Sequence, residues 1–228
     1  MWRQSIRTLW HGQRGLLLFL CMMLVFRSAV ADWNYVPSSS MNPTLWAGDR
    51  VAVNKLAYSL RVPFTLHEVV RWEHPQVGDV ITFDSPVDGT NLIKRVVATG
   101  GDTVAMRDNV LVVNGHAVTR TMTNPEAWIP TERGPMAEQL WREHRQGLDI
   151  AVARLPAFNR SRDFAPVVVP AGHVMVMGDN RDNSNDSRFI GFIDEQRITG
   201  QAVRVVMSHD PQRMFAPRAD RWWLPLHL

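Results

Sequence analysis

Leu92-Ile-Lys-Arg-Val-Val-Ala-Thr-Gly-Gly-Asp-Thr-Val-Ala-Met-Arg-Asp-Asn-Val-Leu-Val-Val-Asn-Gly115 is the stretch that decides the fold. Leu92 to Thr99 is a β-branched run that stops at Gly100-Gly101-Asp102. Thr103 to Met106 and Val110 to Val113 predict a hairpin across Asp108-Asn109, and Asn114-Gly115 marks the next turn. The same texture extends in both directions. Arg50 to Asn54 alternates, with Val51 and Val53 on one face, and Asp79 to Phe83 follows a glycine turn. His173 to Met177 and Ile198 to Met207 predict further strands. Between 116 and 169 the prolines at 125, 130, 135, 156 and 166 break the pattern, and Met136 to Gln146 predicts a short helix. That region reads as an inserted subdomain in a mainly β chain.

Length and composition exclude several classes. At 228 residues and 45% hydrophobic, the chain can bury a core in one generous domain. A net charge of +3 with scattered arginines gives no nucleic-acid footprint. The single cysteine, Cys21, excludes an intramolecular disulfide or a cysteine metal site.

The N-terminus addresses the chain to a membrane. Arg3, Arg7 and Arg14 precede an apolar run from Gly15 to Phe26, followed by Arg27 and Ser28-Ala29-Val30-Ala31. Residues 15–31 read as a transmembrane anchor about 26 Å long as a helix, at the short limit for a span. Basic residues before the run place residues 1–14 in the cytoplasm and 32–228 outside it. Ala29-Val30-Ala31 also fits a small-residue cleavage site, which keeps a cleaved signal peptide open as the alternative. Arg27, between the apolar run and the small residues, counts against cleavage.

The chemistry starts from lysine usage. Among 25 Lys+Arg residues only Lys55 and Lys94 are lysine. Arginine cannot be deprotonated in a protein, so a retained lysine suggests a need for an amine. Pro37-Ser38-Ser39-Ser40-Met41-Asn42-Pro43-Thr44-Leu45 holds serines between two prolines and beside apolar residues, a stiff setting for a nucleophile. Lys94 as its base requires a fall of about 2–3 units from ~10.4. Strand periodicity leaves open whether Lys94 or its neighbour Arg95 is buried. Gly178-Asp-Asn-Arg-Asp-Asn-Ser184 continues to Asp186 and Arg188. Its carboxylate density evokes a calcium loop, but Ser187 and Ile193 stand where that loop needs glycine and glutamate. The eight histidines show no zinc spacing, and no metal is expected.

Three segments together resemble the bacterial type I signal peptidases, membrane-bound Ser/Lys endopeptidases. They are 37–55, the pair 78–81 with 93–102, and 178–191. The resemblance implies coiled antiparallel sheets resting on the outer face of the cytoplasmic membrane, with exported preproteins and the lipid bilayer as partners and no cofactor. It implies Ser40 as nucleophile and Lys94 as general base, with Ser38 as an oxyanion donor. Ser184 would orient the lysine, and Asp186 and Arg188 would brace that loop. Met41, Leu45, Leu92 and Ile93 are the candidate walls of shallow pockets that admit alanine. Trp33, Trp46 and Trp222-Trp223-Leu224 are candidate lipid contacts. The single span and modest insertion depart from members with two spans, so a dedicated peptidase with few substrates is the alternative. A non-catalytic anchored binding module is a second.

Overall fold

The computed structural model describes residues 2–65, 67–145, 147–155 and 163–226, with side chains from residue 13 onward. Its largest sheet is antiparallel throughout. Across it the strands run Ala31–Tyr35, Asp49–Asn54, Ile198–Asp210, Val80–Asp84, Asn91–Thr99, His173–Met177 and Ile193–Asp194, with Ala216–Pro217 paired to the end of Ile198–Asp210. A second sheet contains Phe164–Val168, Thr103–Arg107, Val110–Val113 and His116–Ala117. The protein is therefore mainly β.

The expected hairpin closes with Arg107 opposite Val110. Asp108 and Asn109 both take positive φ, 50° and 58°, the pair of left-handed residues that matches the twist of the flanking strands. Within Asn91–Thr99, residues Lys94 to Ala98 are buried on both faces because the sheet is covered on both sides there. Val96 packs with Ile81, Phe83 and Val176, while Val97 packs with Val104, Met106 and Met175.

Residues 119–154 form a third, three-stranded sheet of Thr119–Thr131, Gly134–Arg145 and Leu148–Arg154. Met136 to Arg145 is thus strand rather than the expected short helix, and Gln146 lies outside the described residues. Helix-favouring residues fill this segment, but it is the central strand, paired along both edges, and its buried Glu138 and Glu143 meet partners far away in sequence. Tertiary pairing outweighs a propensity of a few tenths of a kcal/mol per residue. Pro125 is absorbed by a register shift between Asn124 and Ala127.

The N-terminal helix runs Trp2–Ala29, and a strand begins at Ala31. Residues 15–31 are therefore helical only as far as Ala29. Among the described residues no helix is long and apolar enough to cross a membrane. Leu16 to Phe26 nevertheless exposes large apolar side chains on every face. The Ala29-Val30-Ala31 segment is folded: Val30 N–H donates to Phe26 O at 2.8 Å, and Lys55 N–H donates to Val30 O at 3.0 Å.

Candidate active site

Two loops and one strand converge on Ser40. The first loop, residues 36–49, is closed at its base by Val36 N–H to Asp49 O and Gly48 N–H to Val36 O, both 2.9 Å. Met41 and Leu45 expose no surface. They plug the loop into a core cluster with Val51, Val53, Val80 and Val205, and a turn bond from Leu45 N–H to Met41 O stiffens it at 2.9 Å. They are anchors of the serine turn rather than open pocket walls. Leu92 and Ile93, half-buried, retain the surface that a wall needs. Trp46 is also committed. Its indole N–H donates to Pro43 O at 3.1 Å, and the Arg221 guanidinium stacks 4.0 Å from its ring. Trp33, Trp222 and Trp223 are exposed.

Lys94 and Arg95 are both buried, 3% and 1% exposed, and they stay buried by opposite means. Arg95 keeps its charge through a two-pronged bond to Asp179, Nε to Oδ1 at 2.8 Å and Nη2 to Oδ2 at 2.7 Å. Lys94 has no such carboxylate. Its Nζ lies 2.8 Å from Ser40 Oγ and 2.9 Å from Ile93 O. Burial pushes the amine down to about 8, only partly opposed by the more distant charges of Asp186 and Asp179. The change corresponds to about 3 kcal/mol against the charged form. Lys55, by contrast, is partly exposed and faces Asp32 at 3.4 Å.

The second loop, residues 178–188, supports both partners from behind. Asn180 N–H donates to Ser40 O at 3.1 Å, and Asn183 Nδ2 donates to Ser39 Oγ at 3.0 Å. Asp179 also accepts from Thr44 Oγ1 at 2.5 Å. Asp186 caps the short helix Ser187–Ile190, accepts Gly178 N–H at 2.9 Å, and is gripped by Arg188 at 2.8 Å through both Nε and Nη2. Burial would raise its carboxyl, but Arg188 and the Gly178 amide hold it below the ordinary carboxylate range. Asp186 thus ties Gly178 to Arg188 within the loop. The Ser184 hydroxyl is buried beside Gly178 and Asp186 and makes no well-formed hydrogen bond to the lysine amine. Gly178 is obligatory at this crossing, because a Cβ there would collide with Ser184 Oγ and the Ser40 carbonyl oxygen. Ser38 Oγ lies 3.4 Å from Ser40 Oγ.

Several supporting residues had no assigned role in the sequence reading. Arg95 and Asp179 stood inside the quoted segments, yet nothing in the sequence linked them across 84 positions. Glu132, Glu138 and Glu143 reach the loops around Ser40 from the 119–154 sheet and its first turn and carried no local signal at all. Glu132 accepts Ser39 N–H at 2.9 Å, and Glu143 takes Arg181 through two bonds of 2.8 and 2.7 Å.

Comparison with known proteins gives the family. Residues 10–207 match the family model described as signal peptidase, peptidase S26. The signal peptidase I of Pseudomonas fluorescens is 35% identical over 215 residues, covering 89% of this chain and 74% of the relative. That of Pseudomonas aeruginosa is 36% identical with the same coverage, and that of Aquifex aeolicus is 33% identical, covering 85% of this chain and 82% of its own. A match over most of the chain, with these relatives spanned for nearly three quarters of their length or more, means that the chain belongs to the signal peptidase family, peptidase S26.

Proposed function

We propose that this protein removes signal peptides from exported preproteins by a Ser40/Lys94 mechanism, cutting after Ala-x-Ala-type sites. The observation that carries the reading is a buried amine, pushed down to about 8, held 2.8 Å from a serine hydroxyl. In its neutral form Lys94 accepts the Ser40 proton as Oγ attacks the scissile carbonyl. Ser40 N–H and Ser38 Oγ are the donors for the developing oxyanion. Lys94 returns the proton to the leaving amine, and water then releases the acyl group from Ser40.

The substrate has an open edge to bind. Along Asn91–Thr99, His173–Met177 covers only Arg95 to Thr99, while Val80–Asp84 pairs with Asn91 to Arg95 on the opposite edge. Asn91 to Ile93 therefore has one ladder partner, and an extended peptide can add along its other edge. An open groove of about 460 Å³, on the side of the strand that pairs with Val80–Asp84, has walls that include Trp33, Tyr35, Pro37, Thr82 and Asn91. The apolar sleeve of the N-terminal helix is the proposed membrane seat. Burying each such side chain is worth about 1.5–3 kcal/mol, far from negligible when ten are exposed between Leu16 and Phe26. The basic residues before it would place the N-terminus in the cytoplasm and the active site outside. Retention of the full chain in carbonate-washed membranes checks this placement; release into the wash would contradict it.

The reaction itself is tested with a detergent-solubilised preprotein carrying an Ala-x-Ala site. Wild type should cut after the second alanine, as read by N-terminal sequencing of the product, and Ser40→Ala should not. Because only the neutral amine can act as base, activity should rise with pH through about 8 and level off above it. A profile already flat across that region would rule out Lys94 as the titrating base.

A further inference from the structure

Of the three carboxylates that the inserted sheet sends to the catalytic loops, Glu138 differs from the others. It is 1% exposed and among the described residues has no cationic partner, only two amides: Asn42 Nδ2 at 3.2 Å and Asn180 Nδ2 at 3.0 Å, both donating to Oε1. Glu138 Oε2, Asn42 Oδ1 and Asn180 Oδ1 are all buried and receive no donor from the described residues. An ionised carboxylate would leave a buried charge and three acceptors that nothing satisfies. A proton on Oε2 removes the buried charge and gives this acceptor-only group a donor.

The position matters because of what the two amides do. Asn42 follows Ser40 by two residues in the serine turn. Asn180 holds the Ser40 carbonyl through its own backbone N–H at 3.1 Å. We propose that Glu138 is a positioning residue of the catalytic site, a carboxyl that clamps Asn42 to Asn180, more firmly as the neutral acid than as the ionised carboxylate, and so fixes the Ser40 turn against the 178–188 loop.

The surrounding charges agree with a neutral acid. Burial pushes Glu138 up to about 7, against the two amide bonds, and Glu132 in the turn that precedes its strand pushes it further in the same direction. On the 178–188 loop, Asp179 is taken by Arg95 and Arg181 by Glu143. Asp182 is taken by the Leu155 and Asn109 amides, with Arg154 of the neighbouring strand 3.5 Å away. The serine turn itself, residues 37–45, carries no acidic or basic side chain. No cation faces Glu138 from these elements.

The clamp rests on the reading of Ser40 as nucleophile, so the test includes Ser40→Ala. The full chain in detergent is assayed on the same preprotein as wild type, Ser40→Ala, Glu138→Gln and Glu138→Ala, with a thermal midpoint for each. In Glu138→Ala, kcat should fall about tenfold to a hundredfold with KM little changed, the scale of a misplaced reacting group. Glu138→Gln carries a permanent N–H where the acid has its O–H, and near pH 6 it should stay within about threefold of wild type. Only the wild-type acid ionises, so the ratio of Glu138→Gln to wild-type kcat should climb roughly three- to tenfold between about pH 6 and 9. A flat ratio, or a fully active Glu138→Ala, overturns the clamp. If Glu138→Ala does not fold, the ratio alone decides. If Ser40→Ala still cuts, the nucleophile assignment fails and the clamp falls with it; if Ser40→Ala is dead while the ratio is flat, only the clamp is lost.

Discussion

Lys94→Met should reduce preprotein cleavage by about a thousandfold or more, the scale expected when a nucleophile loses the base that acts with it as a unit. Its melting temperature should nevertheless equal or exceed that of wild type. Methionine fills the same channel and brings no charge to a site that costs about 3 kcal/mol to charge. The sign follows from the proton count. The folded amine sits at about 8, below its ordinary value near 10.5, so between those pH values the unfolded chain binds the extra proton. Wild-type stability therefore rises with pH across that interval, and the advantage of Lys94→Met is greatest below about pH 8. Lys94→Arg separates charge from basicity: the guanidinium keeps the cation, cannot give it up, and should be inactive at every pH. Measurable turnover by either variant would remove Lys94 from the mechanism.

Asp179→Ala should produce the largest loss of stability, about 3–5 kcal/mol, because it strands the Arg95 guanidinium in the core. For a domain of this size that corresponds to a fall of roughly 10 °C in Tm. The pair is doubly bonded and essentially inaccessible, and Asp179 also ties Thr44 of the serine turn. Replacing both partners by apolar residues should cost well under the sum of the single changes, since no unpaired charge then remains. Thermal unfolding of the three variants measures this coupling, and a loss below about 1 kcal/mol for Asp179→Ala would mean that water reaches Arg95.

The strands were legible because their signals are local. Alternating valines and the Asp108-Asn109 and Asn114-Gly115 turns each specify their own geometry, and all four turn residues take positive φ. Parity could not choose between Lys94 and Arg95, and the structure shows why the question had no single answer. Residues 94 to 98 are buried without alternation, since side chains cover both faces of the sheet. Met41 and Leu45 were legible as apolar but not as to direction, which depends on Val80 and, far downstream, Ala202 and Val205 closing the core over them together with Val51 and Val53. The 136–146 segment failed for a related reason. Its local preference is helical, and the partners that extend it, Asn180 and Arg181, lie about 40 residues away.

The pairing of Ile81 with Lys94 and of Val80 with Arg95 also determines where this chain can tolerate a change in length. The exposed Pro86–Gly89 turn, closed by Ser85 N–H to Thr90 O at 2.9 Å, can gain residues while the ladder beyond it keeps its phase. A single deletion between Leu92 and Lys94 would instead bring the next residue to the serine, presenting Ser40 with a guanidinium that never gives up its proton and Asp179 with a valine. Such a chain would lose its base and its buried ion pair in one step. Insertions and deletions along this lineage should therefore accumulate in the turn and be absent from the few residues after it.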